Sequence, residues 1–266
     1  MNVNTIHPFA LAAIALLIPV GLLISSSLKL GLNKDILVSH TRMLLQLGAV
    51  GFFLEWLFNL SGIVPGLLWL TVMIVAATLA VIKASKLRLA IMAGPIGISL
   101  AFIAVVHLMI FLLIAGPEVW STRGLIPIGG MLLGNTMTSI IIGLNEFFGF
   151  MRNRTELYEL RLGLGHSRLG AALPGIRAGL RRAMAPQLAV AATVGIVSLP
   201  GMMTGQILGG SSPVTAVSYQ IAIMIAIFST RLTGSVLVII AGLKFGTTTM
   251  GNLKRVFTDQ AETTTC

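Results

Sequence analysis

The side chains able to do chemistry are few, and most lie within long apolar runs: Glu55, His107, Asn135, Met202, Met203 and Arg231. An ionisable group in hydrocarbon is costly, and it usually touches a substrate, an ion or a partner. Glu55 suits two such roles, pairing with Arg231 or coordinating a cation. An interfacial place at a span end is the alternative, and it applies equally to Glu146. His107 offers an imidazole to a metal, or else hydrogen-bonds a neighbouring carbonyl. Met202 and Met203 bring two soft thioethers that suit a metal ion, although packing is the commoner use of methionine. They directly follow Ser198-Leu199-Pro200-Gly201. Pro200 removes a backbone donor and leaves the Ile196 carbonyl without its helical partner. In hydrocarbon such a group must be satisfied by protein or by a water-lined cavity, and interrupted spans of this kind often border transport pathways. The candidate metal-contacting residues are therefore Glu55, His107, Met202 and Met203. The candidate pathway residues are Ser198, Pro200, Gly201 and Asn135.

Several chemistries have no motif here. No lysine carries the glycine spacing of a P-loop, and HExxH, CxxC and GxSxG are missing. ATP binding by that route, and intramembrane enzyme chemistry, have no support in this chain, and no cofactor of its own is expected. The single cysteine, Cys266, excludes an intrachain disulfide framework or a cysteine metal cluster.

These residues need spans to hold them. The chain has 266 residues, is 56% hydrophobic and only 10% charged, whereas soluble domains have about a quarter of their residues charged. Apolar runs of roughly 20 residues identify an all-α polytopic membrane protein rather than a barrel. Seven spans are predicted, at 8–28, 43–60, 63–82, 89–115, 125–147, 187–208 and 214–243. The first lacks a basic leader and an A-x-A site, so it reads as a span and not a signal peptide. The second is short, carries Glu55 and joins the third through Ser61-Gly62, as a tight hairpin or a partly interfacial segment. The last is too long for the bilayer, so it is tilted, bent or begins on the surface.

The formal charge of +10 does not imply nucleic acid, because the basic residues fall between the apolar runs. Sixteen lie on one side and one, Arg123, on the other, with Arg231 inside a span. The positive-inside rule then puts the N-terminus outside and the C-terminus inside. The longest cytoplasmic connection, 151–186, carries seven arginines. Thr155 is expected to cap a short helix with Glu156 and Glu159 in its first turn. Leu157, Leu160 and Leu164 share one face of it, and Gly163 and Gly165 end it. A second short helix is expected after Pro174. An exposed leucine face needs a cover, either a partner or the membrane surface. Residues 1–257 read as one membrane domain, and 258–266 as a disordered cytoplasmic tail.

The run SLPGMMTGQILGGSSPVTAVSYQI from Ser198 resembles the signature region of the bacterial iron-export ABC permease family, and plant permease subunits involved in aluminium tolerance are similar. KDILVSHTRMLLQL from Lys34, IPIGGMLLGNTMTS from Ile126 and ELRLGLGHS from Glu159 agree in order, so the resemblance covers nearly the whole chain. It implies the membrane half of an exporter in the cytoplasmic (inner) membrane, working as a homodimer. A separate ABC ATP-binding subunit would hold ATP-Mg, and the cargo would be iron, another metal or a metal-linked solute. Glu156, Glu159, Leu160, Gly163 and Gly165 would form the coupling loop that docks into the ATPase. The pathway would be lined by the sixth span and by residues of the second and fifth. A lone carrier or channel is the alternative, though no inverted repeat supports it.

Overall fold

The computed structural model describes residues 8–60, 62–116 and 120–248. Ten helices are present among the described residues: α1 (Pro8–Ala15), α2 (Leu17–Ser27), α3 (Asn33–Phe58), α4 (Val64–Ala84), α5 (Leu89–Ala115), α6 (Thr122–Asn153), α7 (Thr155–Gly163), α8 (Arg168–Thr193), α9 (Gly201–Leu208) and α10 (Pro213–Gly246). Five of them, α3, α4, α5, α6 and α10, are long and apolar enough to cross a bilayer. The predicted tail 258–266 lies outside the described residues.

The chain divides into two units. The first comprises Met1–Ser61 and Leu208–Ser211, and thus holds α1, α2 and α3. Its predicted single span 8–28 is two shorter helices parted at Leu16. Pro19 supplies the reason: its ring clashes with the carbonyl of the residue four earlier, Ala15, where α1 stops. The Asn33 amide then donates to the Ser26 hydroxyl at 2.7 Å and ties α2 to the start of α3. Helix α3 begins ten residues before the predicted second span, because the polar stretch from Asn33 is helical too, with Asp35 in the first turn where the dipole favours an acid.

The second unit, Gly62–Ile207 with Ser212–Cys266, is built around α6. This helix is flanked by α4, α8 and α10, while α5 packs against α4 and α10. Serine caps begin three of these helices. Ser121 accepts from the Gly124 amide, Ser167 from Gly170 and Ser212 from Thr215. Close approach depends on missing side chains. A Cβ at Gly179 would sit 2.7 Å from the Gly143 carbonyl oxygen, and one at Gly175 would sit 2.8 Å from the Phe150 ring. On α8, Gly175, Gly179 and Ala183 form a stripe of small residues spaced four apart that lets the helix lie against α6. Gly129 and Gly130 likewise meet Leu70 and Met73, whereas Gly134 faces open space.

Three further expectations are corrected here. The region 151–186 is mostly regular helix: α6 runs on to Asn153, and α8 starts at Arg168 and passes through both Pro174 and Pro186. The packed stripe of small residues outweighs the lost hydrogen bonds. Thr155 does not cap α7. Arg154 holds that position, and the Thr155 hydroxyl bonds back to the carbonyls of Met151 and Arg152 at 2.9 and 3.0 Å. The sixth span is not a kinked helix, because α8 ends at Thr193 and α9 restarts at Gly201. Between them Gly195, at φ +88°, donates to the Ser198 carbonyl at 2.9 Å. Two chain signals add up here: a left-handed glycine, and Leu199 biased to an extended backbone by the proline after it.

The last span is one uninterrupted helix of 34 residues, α10. At about 1.5 Å per residue it is about 51 Å long, well beyond a bilayer core of about 30 Å.

Candidate functional site

One group of residues stands out in the first unit and four in the second. Glu55 is in the first unit, exposed on α3. In the second unit the predicted residues fall at separate levels.

His107 lies on α5 and faces α10. Its Nδ1 lies 3.0 Å from the Ile103 carbonyl and its Nε2 2.9 Å from the Ser229 hydroxyl. A carbonyl only accepts, so Nδ1 carries a proton and donates to it, and Nε2 is engaged by the Ser229 hydroxyl. The nitrogen that would bind a metal is thereby occupied until Ser229 turns away. The pair lines a cleft of about 520 Å³ between α5 and α10, together with Ile110, Phe111, Tyr219, Ala222 and Ile225. Asn135 spends its amide on the Met131 carbonyl one turn earlier in α6, at 2.8 Å. Among the described residues, no three His, Cys, Asp or Glu side chains come together as a metal site.

The discontinuity between α8 and α9 carries Ser198, Pro200, Gly201, Met202 and Met203 in one short stretch. The Pro200 carbonyl accepts from both the Thr204 amide, at 3.0 Å, and the Thr204 hydroxyl, at 3.1 Å, so the proline starts α9 rather than breaking it. Met202 and Met203 are half-buried, and Met202 packs on the core of the unit. The turn itself is bare: Ile196 is 90% exposed, and Val197 and Leu199 are exposed as well.

At the other end of α8, helix α7 is held by one buried side chain, Tyr158. Burial pushes the Tyr158 phenol above its ordinary range, and the nearby Arg168 guanidinium opposes this. Leu162 is half-buried against the core, and most of the rest of α7 faces outward. Glu156 and Glu159 are exposed, and so are Leu160 at 60% and Leu164 at 71%. Gly163 is the last helical residue and Gly165 adopts φ +85°, where its amide and that of His166 bond back to Leu162 and Arg161. That arrangement closes α7 without a further turn.

The fourth group was only half visible in the sequence. Arg231, on α10, donates to the Gln187 side chain of α8 at 2.6 Å, so the partner it has is neutral. Both residues are buried. Gln187 and Ser229 were missed as partners because each is far from its counterpart in the chain, 44 residues for Gln187 and 122 for Ser229. No spacing rule within one helix reaches that far. A polar residue at helical spacing along an apolar span was the available signal, and Gln187, at the first position of the predicted sixth span, carried it.

A family model described as "Uncharacterised protein family (UPF0014)" matches residues 8–245. The chain is similar to the probable iron export permease protein FetB of Escherichia coli (strain K12), 34% identical over 231 residues, or 86% of this chain and 88% of that one. It is also similar to the protein ALUMINUM SENSITIVE 3 of Arabidopsis thaliana, 30% identical over 214 residues, or 80% of this chain and 77% of that protein. The UPF0014 membrane protein YjkA of Bacillus subtilis (strain 168) is 31% identical over 207 residues, covering 77% of this chain and 81% of that one. No solved structure matches the chain.

Proposed function

This chain belongs to the UPF0014 family of membrane proteins, and from that premise we propose that it is the permease subunit of an ABC-type exporter. Residues 1–257 would form the permease, with seven crossings, the N-terminus outside and the C-terminus inside. Two copies in the cytoplasmic membrane would move iron, another metal or a metal-linked solute, driven by a separate ATP-binding subunit that holds ATP-Mg. The cargo reading draws on the iron-export name of the E. coli relative.

One observation carries the coupling part of this proposal. Helix α7 presents Leu160 and Leu164 outward, beside Glu156 and Glu159, on a nine-residue helix anchored from behind by Tyr158. An exposed leucine face on so short a helix is a docking surface. The basic residues around it support a cytoplasmic place for that surface, where an ATPase would be. Helix α8 then supplies the transmission. It is 26 residues long, about 39 Å, and it runs unbroken from beside α7 to the discontinuity at 194–200. A push on α7 moves the far end of α8, where Pro200, Met202 and Met203 border the pathway. Cargo changes that equilibrium only through contacts that differ between the two positions.

The test is affinity purification of the chain from its native membrane, followed by transport in vesicles. The expected result is a stoichiometric P-loop ATPase whose activity rises with added ferrous iron. Glu159→Lys is expected to insert normally and lose first the ATPase and then transport. Pro200→Ala is expected to keep the ATPase and lose transport. Normal export by both variants refutes the proposal, and a chain that purifies alone yet still moves metal ions replaces it with a lone carrier.

A further inference from the structure

The layer where α6, α8 and α10 meet holds a positive charge that the mechanism above does not use. Arg231 is 6% exposed and Gln187 3%. One guanidinium nitrogen reaches the Gln187 carbonyl oxygen, but Arg231 Nε and Gln187 Nε2 have no partner. Ser235 lies one turn further along the same face of α10, and its buried hydroxyl is also unpartnered. Thr136 of α6 packs against Gly234, close enough that a Cβ there would lie 2.5 Å from its methyl, and its hydroxyl is the fourth unpartnered group. The other polar groups of the layer are spent: the Ser139 hydroxyl on the Ala183 carbonyl at 2.9 Å, and the Thr230 hydroxyl on Ile227 at 3.0 Å.

The four unpartnered groups share one property, the ability to donate. A buried guanidinium without a counter-charge is among the costliest arrangements in a protein. The described acids of this unit do not supply one. Glu146 is exposed on α6 ten residues beyond Thr136, about 15 Å along the helix, and Glu156 and Glu159 are on α7. A bare metal cation would be repelled here. We infer that Arg231, Gln187, Ser235 and Thr136 form a binding site for one compact anion, held by the unpaired charge and donors of this layer. The inference does not depend on the transport reading. The anion is either a free halide or the carboxylate of a small solute.

The experiment uses the full chain, purified in detergent with the bulky sulfonate HEPES as the sole bulk anion. The thermal midpoint is followed as chloride, and separately citrate, replaces the sulfonate at constant ionic strength. A ligand that binds only the folded state raises the midpoint with its concentration. The expected result is a saturable rise that is lost in Arg231→Gln. In Ser235→Ala, the milder change that keeps the test alive should Arg231→Gln fail to fold, the same rise needs roughly tenfold more anion, the effect of one charge-assisted hydrogen bond. A rise with chloride assigns a free halide, and a rise with citrate alone assigns a carboxylate. A midpoint indifferent to both anions, or a titration unchanged in both variants, overturns the site.

Discussion

The two ends of α8 face opposite conditions. Over 171–187 one side of the helix is sealed: Ala171, Ala172, Gly175, Ile176, Gly179, Ala183 and Gln187 are all buried against α6 and α10. From Leu188 onward, through the turn to Leu199, nearly every apolar side chain is exposed. Sequence alone does not distinguish these halves, since both are apolar and both contain small residues. What separates them is a facing surface with matching gaps, Gly143 and Phe150 for the first half and nothing equivalent within the unit for the second. The packed half is the part that holds its shape, and the bare half is the part free to change it.

Substituting alanine for one glycine in each region turns that contrast into numbers. Gly179→Ala has the largest expected effect. Its Cβ meets the Gly143 carbonyl at 2.7 Å, a backbone atom that cannot swing away, and overpacking of this kind costs about 1–3 kcal/mol. Gly195→Ala meets no atom within 4 Å, but its φ of +88° is unfavourable for a side chain, at a cost of roughly 1–2 kcal/mol. Gly205→Ala, in α9, meets nothing and has no positive φ. It is expected to stabilise by about 0.5–1 kcal/mol through helix propensity. Denaturant melts of the three variants should rank in that order, and a loss at Gly195 larger than that at Gly179 would show that the far half is packed after all.

The smallest effect concerns the anchor of α7. Because burial holds the Tyr158 phenol up, the folded protein keeps that proton to a higher pH than the unfolded chain does. Stability should therefore be steady below about pH 10 and fall as the pH rises beyond it. Tyr158→Phe should flatten that fall in thermal melts at pH 9 to 11 and change little at pH 7, since the hydroxyl it removes has no partner.

Much of this molecule was readable from residue types. Runs of apolar residues gave α4, α5 and α10 nearly to their ends, and Ser198-Leu199-Pro200-Gly201 marked the place where the helix stops. The error there was one of degree, a kink expected where a full turn intervenes, because Gly195 acts together with Pro200 and neither alone suffices. The continuity of α8 was hidden for another reason. Pro174 and Pro186 argue against a helix locally, and what overrides them is Gly143 on another helix. The exposed leucines of α7 were legible because their spacing is local. The partners of His107 and Arg231 were not, since their separation along the chain is set by the fold.

The hydrogen bonds of His107 have a consequence for proton movement. A histidine relays protons when one ring nitrogen can receive while the other releases. Here Nδ1 points at a carbonyl that cannot take a proton onward, and Nε2 is engaged by a serine hydroxyl. While these two bonds hold, the imidazole that lines the cleft is a dead end for proton hopping.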